Sequence, residues 1–521
     1  VGHRARAGLP FAAAALGGSL YFLGYLGFGL WPLLAVFLVP LWWSLASAPG
    51  AGAGAARGAL FGAVAYGGGH LWLFRLVPVF LDGDFAFGIA VWTLYGLGFT
   101  ALFAAYGALF VALRRAGVGR ASAGVAGFLL VEWLQPMVFP VHAGAGWVDL
   151  APLAQAAEIG GPLALSALVA LANVATFELA RRVGGATVDR TALGTAVVLL
   201  AVAAIWGHAR AAQVTTRAAR AEPLRVGLVQ ANLGLLEKRT AVERGHDAHL
   251  ALTRALLAEG PLDLVVWPET AYARALRGPL PVAGHLVRRG LEPALLFGGT
   301  LIEDTADGPA QTNAALLIEP DGMIRAAYRK NLLIPLAENL PGVEHLPALA
   351  ARLPRAQRFH AADRTPALAL GEHRLSVPIC YEIIRPGFVR RMVREGRPQL
   401  LVTLANDAWF GDSQEPRIHL QLARLRAIEH RRYLVRATNS GISALVDPTG
   451  RVVARTGVLS RETLRGRVAW LDGETLYARL GDWPGPAAAA WLAAALLAAA
   501  ARRRTGRDRV DGAAPPGRPL S

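Results

Sequence analysis

Along the first 207 positions, apolar residues run in unbroken stretches. No charged residue occurs between Ala7 and Ala56. That is room for two membrane spans of about 20 residues each, with Gly27 to Gly29 as the turn between them. Further apolar stretches lie at Gly58–Phe74, Phe87–Leu113, Ser122–Phe139, Leu163–Leu179 and Leu193–Trp206, with a last one at Pro484–Ala501. The pattern predicts a polytopic α-helical membrane domain of about eight spans, seven before residue 207 and one near the C-terminus. Arg4 and Arg6 ahead of the first stretch resemble the start of a signal peptide, but the spans behind it favour a retained helix.

Between these regions the pattern changes to short β-rich runs. They fall at Leu224–Gln230, Leu262–Trp267, Ala294–Leu301, Ala314–Ile318, Arg374–Cys380, Gln399–Leu404, Tyr433–Thr438, Ser443–Asp447 and Thr463–Trp470. Amphipathic helical stretches such as Arg244–Ala258 and His419–His430 separate several of them. Pro320-Asp321-Gly322 and Pro448-Thr449-Gly450 are turn signals that join strands as hairpins. Strands mixed with helices and hairpins predict a layered α/β or α+β sandwich. The expected organisation is a membrane domain over 1–207, an α/β domain over 208–482, a helix over 483–501 and a basic disordered tail over 502–521.

Composition supports the membrane reading. Of 521 residues, 54% are hydrophobic and 17% charged, against about 25% charged in an ordinary soluble domain. Mean hydropathy is +0.37. These values exclude a disordered chain and a wholly soluble one. The net charge of +16 could indicate nucleic acid, but its distribution does not. Segments 1–8, 49–58, 113–121, 180–191 and 502–521 hold fifteen arginines against Asp189, Asp508 and Asp511. The opposite segments, around Asp82 and Asp84 and across Pro136–Pro162, hold no lysine or arginine. This bias predicts cytoplasmic termini and places residues 208–482 on the outer face of a bacterial membrane. With a single cysteine, no internal disulfide or multi-cysteine metal site can form.

Three predicted strands lead into reactive groups. Glu269 follows Val265-Val266-Trp267-Pro268, where burial would raise a carboxylate toward the range of a useful base; a solvated loop glutamate fits these residues equally well. Lys330 lies in Tyr328-Arg329-Lys330-Asn331-Leu332-Leu333-Ile334-Pro335, and Lys238 is the only other lysine. That rarity hints that a compact ammonium matters here, or that two lysines survived by accident. Cys380 follows Val377-Pro378-Ile379 and precedes Tyr381-Glu382. A lone thiol is more often a buried, inert residue, and a nucleophile needs a base and a cation beside it, which Glu269 and Lys330 could supply. No Walker A loop, G-x-S-x-G elbow, zinc helix or metal-spaced histidine set occurs. Intramembrane Glu132 is either functional or a structural hydrogen-bond partner.

The contexts W-P-E, Y-R-K-x-x-L-x-P and I-C-Y-E, in the order Glu269, Lys330, Cys380, resemble the nitrilase superfamily. Its members carry a Glu-Lys-Cys triad on an α-β-β-α sandwich. Seven spans before that domain and one after it resemble the membrane-embedded branch, the bacterial apolipoprotein N-acyltransferases. Asn406-Asp407-Ala408-Trp409-Phe410-Gly411-Asp412, the stretch from Gln421 to Glu429, Thr438-Asn439-Ser440-Gly441 and Arg479-Leu480-Gly481-Asp482-Trp483-Pro484 extend the likeness. The resemblance implies Glu269 as general base, Cys380 as nucleophile and Lys330 as oxyanion stabiliser. It also implies Glu338 as a second orienting carboxylate, with Tyr381 and Glu382 as supporting neighbours and the Tyr381 amide in an oxyanion hole. Trp147 becomes a lipid-contact candidate on an outer loop. A phospholipid would be the acyl donor and a diacylglyceryl lipoprotein the acceptor, with no metal or organic cofactor, no nucleic acid and a monomeric chain.

The chain departs from the branch at Leu235 and Arg239, where the family carries glutamine and tryptophan. A membrane-anchored nitrilase-type amidohydrolase would use the same triad, although one span would suffice to anchor it. A transporter or scaffold with a degenerate enzyme domain would predict decay at the triad, and all three residues are present.

Overall fold

The computed structural model describes residues 2–511 apart from 26, 77–83, 136–137, 235–240, 278–279, 306–307, 336, 340–341, 343–344 and 353–358. Asp82, Leu235 and Arg239 therefore lie outside the described residues.

The N-terminal region holds α1 (Gly2–Gly24), α2 (Leu38–Ala46), α3 (Ala51–Gly69), α4 (Phe85–Arg115), α5 (Arg120–Leu134), α6 (Ala157–Val183) and α7 (Arg190–Arg220). Gly27 and Gly29 both take positive φ in the predicted turn after α1. Among the described residues, four helical segments are long and apolar enough to cross a membrane: Phe85–Arg115, Ala157–Val183, Arg190–Arg220 and Pro484–Arg502. Two shorter apolar ones are Gly8–Gly24 and Trp31–Ala46. The expected count of eight is therefore met by only four full-length candidates. Of the other predicted spans, α5 is shorter, with 15 residues, and α3 has 19 but is diluted by glycines and Arg57.

Helices α3 and α4 meet through glycine. A Cβ on Gly58 would lie 2.0 Å from the Phe103 carbonyl oxygen, and one on Gly107 2.1 Å from that of Gly54. Where hydrocarbon solvates leucine as well as protein does, such close backbone approach is a main source of helix association. Glu132 on α5 accepts from the Ala143 N–H at 2.7 Å and faces His142 at 3.6 Å. Its contacts are those of a structural group holding the loop that follows α5.

Beyond α7 the chain forms two sheets. The strands are β1 (Pro223–Gln230), β2 (Leu264–Val266), β3 (Tyr272–Leu276), β4 (Ala294–Thr305), β5 (Gly308–Ile318), β6 (Ile324–Arg329), β7 (Leu368–Leu370), β8 (His373–Ser376), β9 (Leu400–Ala405), β10 (Leu434–Thr438), β11 (Ala444–Val446), β12 (Val452–Arg455) and β13 (Glu462–Ala469). One sheet runs β13-β1-β2-β4-β5-β6 with β3 on β4, and the other runs β12-β11-β10-β9-β8-β7. Alternation sorts the strands into layers. Leu264 and Val266 of β2 join the core between the sheets with Leu375, Val402 and Val435. Val265 points the other way, into a second core with Leu250 and Leu256 of α8 (Val242–Ala258) and Val287 of α9 (Leu280–Arg288). The outer face of the second sheet is covered by α10 (Pro386–Gly396) and α11 (Glu415–His430), whose Val389, Leu425 and Ile428 share one core with the membrane helices. The result is an α-β-β-α sandwich seated on the membrane domain through one of its helical layers.

A buried polar clasp fixes that seat. Arg431, just past α11, places Nε and Nη2 2.8 and 2.6 Å from Glu158 Oε2 on α6, and Nη1 2.6 Å from Gln155. Arg210 of α7 engages the same glutamate from the other side. Helix α7 thus continues well past residue 207, where its apolar run stops. The C-terminal helix α12 (Pro484–Asp511) also runs on through Arg502–Asp511, where an unstructured tail is expected from composition. Arginine is a good helix former and can extend a helix already started.

Candidate active site

Lys330 follows β6 directly, while Glu269 lies three residues past β2. Cys380 differs from expectation, because β8 ends at Ser376. Pro378 has no N–H for the ladder, and only an isolated bridge pairs Ile379 with Leu404. Cys380 then opens a single 3-10 turn, Cys380–Ile384, at φ 51°, a left-handed conformation that strains a residue with a Cβ. Gly298 of β4 has a local role: a Cβ there would meet the Glu269 Cα at 2.6 Å.

The structure brings Glu269, Lys330 and Glu338 into direct contact. Lys330 Nζ lies 3.2 Å from Glu269 Oε1 and 2.9 Å from Glu338 Oε1, with the lysine fully buried and Glu269 only 5% exposed. Asn313, which sequence reasoning missed, donates to Glu269 Oε1 at 2.7 Å. Glu338 also accepts from the Ile334 N–H at 2.9 Å. Burial by itself pulls the lysine down, but the two carboxylates more than reverse it, so the ammonium keeps its proton. The Cys380 thiol is pushed well up, first by burial and then by Glu269, against the pull of Lys330. Its resting form is the thiol, with a carboxylate and an ammonium acting on it.

Glu382 ties two parts of the site together. It accepts from Tyr328 Oη at 2.8 Å, from the N–H groups of Asn331 and Leu332 at 2.6 and 3.0 Å, and from that of Ile379 at 2.7 Å. One buried carboxylate thereby joins the segment after Lys330 to the turn that carries Cys380. Burial outweighs these donors and raises its pKa to about 7. Tyr381 reaches the membrane domain, its hydroxyl donating to the Val138 carbonyl and accepting from Arg385 Nη1 at 2.6 Å.

Cys380 opens into a cavity of about 450 Å3 between the two domains. Leu73, Phe74, Val91, Trp92, Tyr95 and Phe139 line it from the membrane side, and Ile334, Trp409 and Phe410 from the sandwich. Trp147 is not brought to this cavity. It is 3% exposed in the turn Ala143–Trp147, and its indole nitrogen lies 3.4 Å from the Trp31 carbonyl. Its surroundings are packing, because the turn folds back onto the membrane core. Among the described residues Asp407, Glu415 and His419 come close enough to hold a metal. Both Asp407 oxygens are already engaged, by His419 at 3.0 Å and by Arg436 at 2.7 Å.

Sandwich and Glu-Lys-Cys cluster together define a nitrilase-type carbon-nitrogen hydrolase domain, here joined to apolar helices. A carbon-nitrogen hydrolase model matches residues 225–470, and a model of the apolipoprotein N-acyltransferase N-terminal domain matches residues 17–175. The chain is 33% identical over 510 residues to an apolipoprotein N-acyltransferase of Azotobacter vinelandii, covering 94% of this chain and 95% of that one. It is 32% identical over 501 residues to one from Pseudomonas aeruginosa, covering 92% and 94%. The chain belongs to the apolipoprotein N-acyltransferase family.

Proposed function

We propose that this chain moves an acyl chain from a phospholipid, through a thioester on Cys380, to the α-amine of an N-terminal diacylglyceryl-cysteine. The observation that carries the reading is the position of Cys380, at once beside the Glu269–Lys330–Glu338 cluster and in the wall of an apolar cavity lined by membrane helices. A water-soluble amide has no use for such a wall, whereas an acyl chain does. Cys380 Sγ attacks the ester carbon while Glu269 takes the thiol proton and passes it to the departing glycerol oxygen. Lys330 and the Tyr381 N–H stabilise the oxyanion, and a lysophospholipid leaves. The lipoprotein amine then attacks the thioester, Glu269 takes its proton, and the thiol is restored as the N-acyl product departs. Both substrates lie in the outer leaflet, with the sandwich on the outer face and both termini inside.

Full-length protein mixed with an acyl-labelled phospholipid should gain one hydroxylamine-sensitive acyl group at Cys380 by intact mass and peptide mapping. A diacylglyceryl lipopeptide should then discharge it as an amide. An unlabelled Cys380 overturns the reading. Rapid discharge by water without the lipopeptide favours an amidohydrolase.

A further inference from the structure

Cys380 holds a strained left-handed conformation at the start of its turn, and its carbonyl oxygen meets a buried histidine. Behind it, His419 Nε2 lies 3.2 Å from the Cys380 carbonyl oxygen, and His419 Nδ1 lies 3.0 Å from Asp407 Oδ1. Arg436 Nη2 fixes the other Asp407 oxygen at 2.7 Å. Gly441 leaves room for that carboxylate, since a Cβ there would fall 2.0 Å from Asp407 Oδ2. His419, Asp407 and Arg436 are all at most 3% exposed. A buried chain from Arg436 through Asp407 and His419 therefore ends on one backbone oxygen, that of the candidate nucleophile.

That oxygen belongs to the peptide whose N–H is Tyr381's. A trans peptide is planar, with C=O and N–H pointing in opposite directions. Holding the oxygen toward His419 turns the Tyr381 N–H away from it. We propose that His419 is a positioning residue: it locks the Cys380–Tyr381 peptide so that the Tyr381 N–H faces the oxyanion, opposite Lys330. The inference rests on the acyl-transfer reading and names the part that builds its oxyanion site. The carbonyl only accepts, so the contact requires a proton on Nε2, and Asp407 favours one on Nδ1 as well. Burial first and then Arg436 outweigh Asp407 and the carbonyl and hold the imidazole below its ordinary pKa, so the proton that the contact uses is the one on Nε2. Glu415, 3.6 Å from the ring, is pushed well up by burial and by Asp407.

The test compares His419→Asn with His419→Gln in the full-length protein. Asparagine places its amide near Nδ1 and keeps only the Asp407 contact; glutamine reaches toward Nε2 and can still donate to the Cys380 carbonyl. Each is read by acylation of Cys380 with p-nitrophenyl butyrate and with phospholipid, and by alkylation with iodoacetamide, which forms no oxyanion. Acylation of the Asn variant should fall about 100-fold, the scale of one lost oxyanion donor, with alkylation unchanged and acylation largely restored in the Gln variant. Equal acylation in both variants and the parent overturns the proposal, as does a parallel fall in acylation and alkylation. A parent protein acylated by the nitrophenyl ester but not by phospholipid refutes the acyl donor alone, and the variant comparison still decides the role of His419. A parent acylated by neither removes both readings.

Discussion

The two halves of the molecule reach a packed interior by different means. In the sandwich, alternating strands send Leu264 and Val266 to one core and Val265 to another, and removal of apolar surface from water drives the assembly. In the membrane region the contact between α3 and α4 rests on Gly54, Gly58 and Gly107, because close backbone contact replaces the missing solvent drive. The sandwich therefore carries its chemistry on rigid, deeply buried groups, while the helices supply an apolar wall and a seat. Damage to the reactive groups of the first should strike chemistry whether or not it costs stability, and damage in the second should cost stability and leave the chemistry of each folded molecule intact.

The sharpest break of that contrast is Cys380→Ala, which should abolish acyl-adduct formation by intact mass and leave the melting temperature nearly unchanged. Next is Lys330→Met. It should slow acylation by about a thousandfold and, by leaving Glu269 and Glu338 without their cation, cost about 3–5 kcal/mol in chemical unfolding. On the membrane side, Glu158→Ala leaves Arg431 and Arg210 without their shared carboxylate and should cost about 3 kcal/mol. Its acylation rate per folded molecule should stay close to that of the parent. Gly58→Ala should cost about 2 kcal/mol from overpacking, although alanine is the better helix former. Gly52→Ala on the same helix, with no atom within 4 Å of the new Cβ, should be neutral or mildly stabilising.

The smallest effect is a titration. Glu382 has a folded pKa of about 7, above the unfolded value of about 4.3. As pH falls through 7 the carboxylate takes a proton and grips the Asn331, Leu332 and Ile379 N–H groups less firmly, so acylation should decline by up to about tenfold. Stability moves the other way. A carboxyl raised on folding favours the native state most below its unfolded pKa and loses that contribution as pH rises toward 7. A Glu382→Gln variant followed from pH 6 to 8 should lose both slopes.

Where the sequence pattern fell short, it missed β3, β7 and β12 and marked β6 only by its end at Lys330, and all four lie at sheet edges. An edge strand pairs on one side and needs no continuous apolar run; Ile324–Arg329 and Val452–Arg455 carry arginines for that reason. The central strands were legible because burial on both faces leaves little but aliphatic residues. Asn313, Asp407, His419 and Arg436 escaped notice as polar residues at separated positions. A hint lay in the stretches from Asn406 to Asp412 and from Thr438 to Gly441, but nothing in either says which side chains meet.

The order of hydrophobic and polar positions by itself determined that apolar helices precede and follow a layered domain of strands and helices, and that one glutamate, one lysine and one cysteine come at or just beyond strand ends. Periodicity and composition act locally, through solvent and backbone geometry, and so can be read from neighbours in the chain. Only the tertiary structure decided that Lys330 lies between Glu269 and Glu338, that Cys380 sits on a left-handed turn past its strand, that Trp147 is packing and that His419 grips a carbonyl 39 positions away. Those contacts join residues far apart in sequence. Each depends on how buried charges and unpaired backbone groups find partners once the layers close, and a linear pattern does not encode that.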